Sequence, residues 1–284
     1  MNDIATGLLI DTLLLPFGVA AVVAYGARLA GLTAAGLAVA IGLIAGGLAG
    51  QAAVAGWPAV PPQGAVDKLV WLGAGGLLIG LAAERMADPR HVRWLVAGGL
   101  ALTVVWTGWA RIAIPDTAAW LAALVTWGLV VWALGRVEAA GRGGGLVLAL
   151  VIVAATAGIG LFSSSYSMAQ LIGVVAAALA GAMLVAGHGA DGFGRAARLA
   201  FAAPMAALLT MLGLYTRAEP LALFLLAVVP LTPGLAERLQ RVLAPDATGG
   251  TRTALRLATL GVVAAMPAAA AVAVAVSRSG PLYY

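Results

Sequence analysis

The chain has no cysteine, which excludes disulfides and thiolate metal sites. Charge is scarce as well. Only 10% of its 284 residues are Asp, Glu, Lys or Arg, whereas a soluble domain covers its surface with about a quarter of its residues charged. Lysine is nearly missing: Lys68 stands alone beside fifteen arginines. Histidine is limited to His91 and His188, so general-base and imidazole-metal chemistry have few bearers. The start, Met1-Asn2-Asp3, carries no basic segment, so a cleaved signal peptide is not expected there.

What is abundant is apolar. Hydrophobic residues make up 63% of the chain, and they fall in blocks of about twenty with the charges between them. A bilayer core roughly 30 Å thick takes about 20 helical residues to cross. Lipid-exposed backbone must satisfy its own hydrogen bonds, and these blocks lack the alternation of barrel strands. The expected fold is therefore all-α, a polytopic transmembrane helical bundle of about ten spans. They are placed near 6–27, 31–50, 67–86, 92–110, 117–135, 143–162, 166–187, 196–215, 219–236 and 253–275. Pro16, Pro204, Pro230 and Pro267 fall inside spans, where proline kinks a helix. The longest connections are 51–66 and about 237–252, too short for a soluble domain, so 1–284 reads as one integral membrane domain.

Basic residues sort by connection. With ten spans, one face holds Arg28, Arg85, Arg90, Arg93, Arg136, Arg142, Arg195, Arg198, Arg238, Arg241, Arg252 and Arg256. The other holds Lys68, Arg111, Arg217 and Arg278. Twelve against four puts both termini on the non-cytoplasmic side by the positive-inside rule. The arginine-rich, alanine-rich composition suggests a GC-rich bacterial genome, hence the inner membrane. Seven of the eight tryptophans lie near span ends, as an interfacial belt requires. Trp127 is the exception, mid-way along the fifth span.

Asp11 is the deepest carboxylate, roughly 8 Å inside a helix that starts near Thr6 at 1.5 Å per residue. An ionisable group at that depth reads as an ion or proton ligand, or as a partner for Arg111 or Arg217. A later helix start instead leaves it among headgroups. Ser163-Ser164-Ser165-Tyr166-Ser167 and Gln170 join the sixth and seventh spans. Asp11, Arg111, Ser163, Ser165 and Gln170 are the candidate polar pathway, although a serine here also serves as a helix cap. His188 and Asp191 supply two ligand types, too few for a metal site. Gly141-Arg142-Gly143-Gly144-Gly145 lacks the Lys-Ser/Thr ending of a phosphate loop and reads as a flexible connector.

Gly42, Gly46 and Gly50 repeat every four residues, as do Gly76 and Gly80. Such faces let helices approach closely, within the bundle or against a second copy or partner subunit. Thr103, Thr107, Thr126, Thr156, Thr210 and Thr259 can each bond back to their own helix. The twelve arginines of the basic face outnumber six acids there, enough to attract anionic headgroups. The charge is spread among membrane connections, so the expected partner is the lipid bilayer and not nucleic acid. No motif implies a cofactor. The leading functional expectation is a transporter or permease-like protein for a small or apolar solute. The alternative is a non-catalytic scaffold or anchoring subunit of a larger complex. An enzyme would need clustered acids, bases or metal ligands, which the sequence does not present.

Overall fold

The computed structural model describes residues 2–32, 36–114, 116–163, 165–186, 193–216, 218–243 and 249–279. Ser164, His188, Asp191 and Arg217 lie outside them. The described elements are all helical. They begin with α1 (Asn2–Leu9), a π-helical turn at Ile10–Leu14, and α2 (Leu15–Leu29). Then follow α3 (Leu37–Ala55), α4 (Lys68–Arg85), α5 (Pro89–Ile112), α6 (Thr117–Ala139), α7 (Gly141–Phe162), α8 (Tyr166–Ala186) and α9 (Arg195–Tyr215). The chain closes with α10 (Pro220–Val228), a 3-10 turn at Val229–Leu231, α11 (Thr232–Leu243) and α12 (Gly249–Arg278). Nine helices among the described residues are long and apolar enough to cross a membrane, with α10 and α11 counted together as Pro220–Val242. The 18-residue α4 is not among them, since Lys68, Glu84 and Arg85 all fall at its ends.

Proline sets the local irregularities. Pro16 has no N–H to return to the carbonyl of Thr12, and its ring crowds that carbonyl. The preceding turn widens, and the Leu15 amide bonds the Ile10 carbonyl five residues back. Pro230 likewise marks the change from α10 through a 3-10 turn to α11.

Three helices pack through glycine. A Cβ on Gly42 would stand 2.6 Å from the Ala20 carbonyl oxygen, and one on Gly46 would stand 2.5 Å from that of Pro16. One on Gly50 would meet the Val174 side chain of α8 at 2.5 Å. This face is therefore filled by α2 and α8 within the same chain. Gly76 and Gly80 lie against the α9 backbone at Leu199 and Ala196. The central element is α9: 78% of its most apolar stretch is buried, against 11% for α6. Its alanines let α4, α5 and α6 close on it.

The tryptophans divide by exposure. Trp57, Trp71, Trp94, Trp106, Trp109, Trp120 and Trp132 all expose their rings. Trp127 is partly buried between α5 and α6, and its indole Nε1–H donates to the Ala97 carbonyl at 2.8 Å. Its mid-span position serves the bundle interior, where an indole finds a backbone acceptor.

Several boundaries differ from the sequence expectation. The second helix runs Leu37–Ala55 and not 31–50, which carries Gln51 from a connection into the core. The supposed connection 237–252 is largely helix, because α11 continues to Leu243 and α12 begins at Gly249. The glycine run at 141–145 is no flexible connector. It forms the first turn of α7, where Gly145 sits against the Val137 carbonyl and Gly143 against Leu257. Only a side chain as small as hydrogen lets α6 and α12 come that near.

Candidate functional site

The first turns of α5 and α9 face each other across the end of α6. Arg90 and Arg93 are three residues apart on α5, and Arg195 and Arg198 are three apart on α9. That spacing presents both members of each pair on one helical face. Between them lies a cleft of about 630 Å³. Its charged wall is Arg90, Arg93, Arg195, Arg198 and Glu138, and its apolar wall includes Val96, Val131, Leu134 and Leu199.

The electrostatics of this cleft are unusual in one respect. Helix N-termini favour anions, because their first amides are unpaired donors and the macrodipole is positive there. Arg90, Arg195 and Arg198 sit within the first four residues of their helices and Arg93 one residue beyond, so they add positive charge where it is least compensated. The α5 terminus is capped by Asp88, which accepts from the Arg90 amide at 2.8 Å. The α9 terminus has no side-chain cap among the described residues. Among them Glu138 is the single carboxylate in the wall, 3.6 Å from the Arg195 guanidinium and 3.4 Å from that of Arg198. Four guanidiniums against one carboxylate give the described lining a formal charge of +3.

Several arginines also reach backbone carbonyls. Arg28 donates to the Val185 carbonyl at 3.0 Å, and Arg195 of the cleft donates to that of Ala83 at 3.1 Å. Arg136 donates to the Pro230 carbonyl, and Arg256 donates to the Ala140 carbonyl and to the Glu237 carboxylate. Val185, Ala83 and Ala140 stand at the C-terminal ends of α8, α4 and α6, whose last carbonyls have no intrahelical partner. Arginine supplies the missing donors and suits the negative end of the dipole. The arginines thus have a packing role.

The residues expected from sequence to form a polar pathway are not gathered by this cleft. Asp11 is half-buried in the π-helical turn, and Arg111 is exposed at the end of α5. Ser163 is buried, but its Oγ–H donates to the Ile159 carbonyl at 2.6 Å, satisfying itself on its own helix. Ser165 contributes its carbonyl to the Ala169 amide, and Gln170 is half-buried. Thr103, Thr126, Thr156 and Thr210 each bond back four residues, as expected. Thr107 departs from that pattern: its buried Oγ1 has no partner among the described residues. No group of three His, Asp or Glu side chains gathers as a metal site among the described residues.

Sequence reasoning passed over Arg90, Arg93, Glu138, Arg195 and Arg198 as connection charges. The available signal was the Arg-x-x-Arg spacing at two predicted helix starts. The nine long apolar helices among the described residues suggest a class, the integral membrane proteins. No known family model matches the chain, and no curated protein matches it.

Proposed function

We propose that the protein is a ten-span transporter-like protein for an amphiphile with an anionic head, in a bacterial inner membrane. The observation that carries the reading is the 630 Å³ cleft, with a guanidinium-rich wall above an apolar one. Its volume lies in the usual range for a small-molecule site. Guanidinium groups bind phosphate and carboxylate through paired N–H donors. A cation would be repelled, and a wholly apolar solute would leave four charges unused. The expectation of a small or apolar solute is thereby narrowed to one with both an apolar part and an acidic head.

The tenth span in this reading is α4. Its 18 residues reach about 27 Å at 1.5 Å per residue, and it packs along α9 through Gly76 and Gly80. The arginine-rich end then faces the cytoplasm and both termini face away from it. A reporter fused after Tyr284 is expected to be active on the non-cytoplasmic side only. Cytoplasmic activity would remove the ten-span count.

The function is tested with protein reconstituted in phosphatidylcholine nanodiscs. Native mass spectrometry is expected to show retention of added phosphatidic acid, which inorganic phosphate at the same concentration does not displace. Equal retention of neutral and acidic lipids would overturn the anionic-head assignment, and displacement by phosphate would mean a free anion is the ligand. In vesicles, labelled phosphatidic acid is expected to change leaflet faster with the protein than without it. Binding without that movement would reject transport in favour of an anchoring role.

A further inference from the structure

A second polar feature lies in the interior, among α3, α4, α8 and α9, and plays no part in the cleft. Gln51 is only 2% exposed, and both its Nε2 and Oε1 lack a hydrogen-bond partner among the described residues. A buried amide left in that state is costly. The side chain lines a cavity of about 30 Å³, together with Gly47, Gly73, Val174, Ala200 and Pro204.

The opposite wall supplies a matching group. Pro204 lies inside α9 and has no N–H, so the carbonyl of Ala200, four residues earlier, loses its regular helical donor. Ala200 lines the same cavity, and its carbonyl oxygen is 3.7 Å from where a Cβ of Gly73 would stand, so it faces α4. A donor and an acceptor from Gln51 and a further acceptor from α9 therefore share one small space. Glycines at 47 and 73 keep that space open.

We propose that this cavity is a binding site for water, with two molecules bridging the Gln51 amide and the Ala200 carbonyl. A water needs at least about 10–15 Å³ and two to four polar partners, so 30 Å³ admits roughly two. Larger solutes do not fit. A metal cation would demand more oxygens than one amide and one carbonyl provide. The waters satisfy the group that Pro204 exposes, which lets the most enclosed helix of the bundle carry a proline without an orphaned carbonyl.

The test uses the full chain labelled with ¹⁵N-glutamine in lipid. Magnetisation transfer from water to the Gln51 side-chain amide is expected in the folded protein. The signal is identified by its disappearance in Gln51→Met, a replacement of similar volume. No transfer at Gln51 would overturn the proposal. Thermal midpoints give a second readout. Gln51→Met is expected to lower the midpoint by a few degrees, because Ala200 then loses its bridge. In a Pro204→Ala background the helix amide returns to Ala200, and the same substitution is expected to cost less than half as much. A dry site predicts the opposite sign, since removing two unpaired polar atoms would raise the midpoint in both backgrounds. Should Pro204→Ala fail to fold, the water transfer and the sign of Gln51→Met alone decide.

Discussion

Replacing Gly76 by alanine is expected to destabilise the protein by roughly 1–3 kcal/mol, the usual cost of forcing a methyl group into packed structure. The same replacement at its neighbour Gly75 is expected to be neutral or stabilising by up to about 1 kcal/mol. Both glycines lie on α4, so helix propensity contributes equally. The difference is what the new Cβ meets. At Gly76 it would overlap the Leu199 carbonyl oxygen, with the Leu199 carbonyl carbon at 2.7 Å and the Ala200 amide nitrogen at 3.1 Å. These are backbone atoms and cannot rotate away. At Gly75 nothing lies within 4 Å. Because α9 is enclosed on several sides, a displacement of α4 must be passed to α5 and α6. Thermal unfolding in detergent, followed by tryptophan fluorescence, compares the two. Equal midpoints for Gly76→Ala and Gly75→Ala would show that the α4–α9 contact is looser than the structure describes.

The second large effect belongs to the cleft, where two neighbouring substitutions are expected to act in opposite directions. Arg198→Ala should weaken phosphatidic acid retention by about tenfold to a hundredfold, the loss of a charge-assisted hydrogen bond. Glu138→Gln should strengthen it several-fold, because the carboxylate occupies the guanidiniums of Arg195 and Arg198 at 3.6 and 3.4 Å and an incoming acidic head must compete with it. Neither change should greatly alter folding. These ion pairs are partly solvated, with the Glu138 side chain 51% exposed, and such pairs contribute little to stability. Arg85→Ala provides the control for general attraction to acidic lipid, since Arg85 lies at the same end but outside the cleft wall. The salt dependence should be steeper for the unaltered protein than for Arg198→Ala. If Arg85→Ala and Arg198→Ala weaken retention equally, the cleft is not a site and the whole basic face acts as a diffuse field.

The glycine faces show how far pattern alone reaches. Spacing of four residues identifies Gly42, Gly46 and Gly50 as a surface for close approach, because periodicity on a helix is a local property. Whether the approaching helix belongs to the same chain is not local. The structure fills that face with Pro16, Ala20 and Val174, and fills the Gly76–Gly80 face with the backbone of α9. Trp127 is a similar case. Its position excludes it from the belt, but its acceptor, the Ala97 carbonyl, is thirty residues away.

Small errors in helix ends had disproportionate consequences. Hydropathy averages over a window and blurs each boundary by several residues. Shifting the second helix from 31–50 to Leu37–Ala55 turns Gln51 from a connection residue into a buried, unpartnered amide. Extending α6 to Ala139 and starting α5 at Pro89 turns Glu138 and Arg90 into helical positions with fixed directions. The cleft and the internal cavity both lie in those margins.

The order of residues was enough to point to a bilayer as the solvent and to helix as the secondary structure that solvent permits. Those follow from composition and block length, because a bilayer core leaves the backbone no partner but itself. That Arg90, Arg93, Arg195 and Arg198 surround one cleft, and that Pro204 and Gln51 line one cavity, emerges only from the packing of the helices. Both arrangements depend on α9 lying at the centre, against α4, α5 and α6 at once. In lipid no difference in hydrophobicity selects helix neighbours, so close packing of small residues does so, and that fit exists only once the helices are placed together.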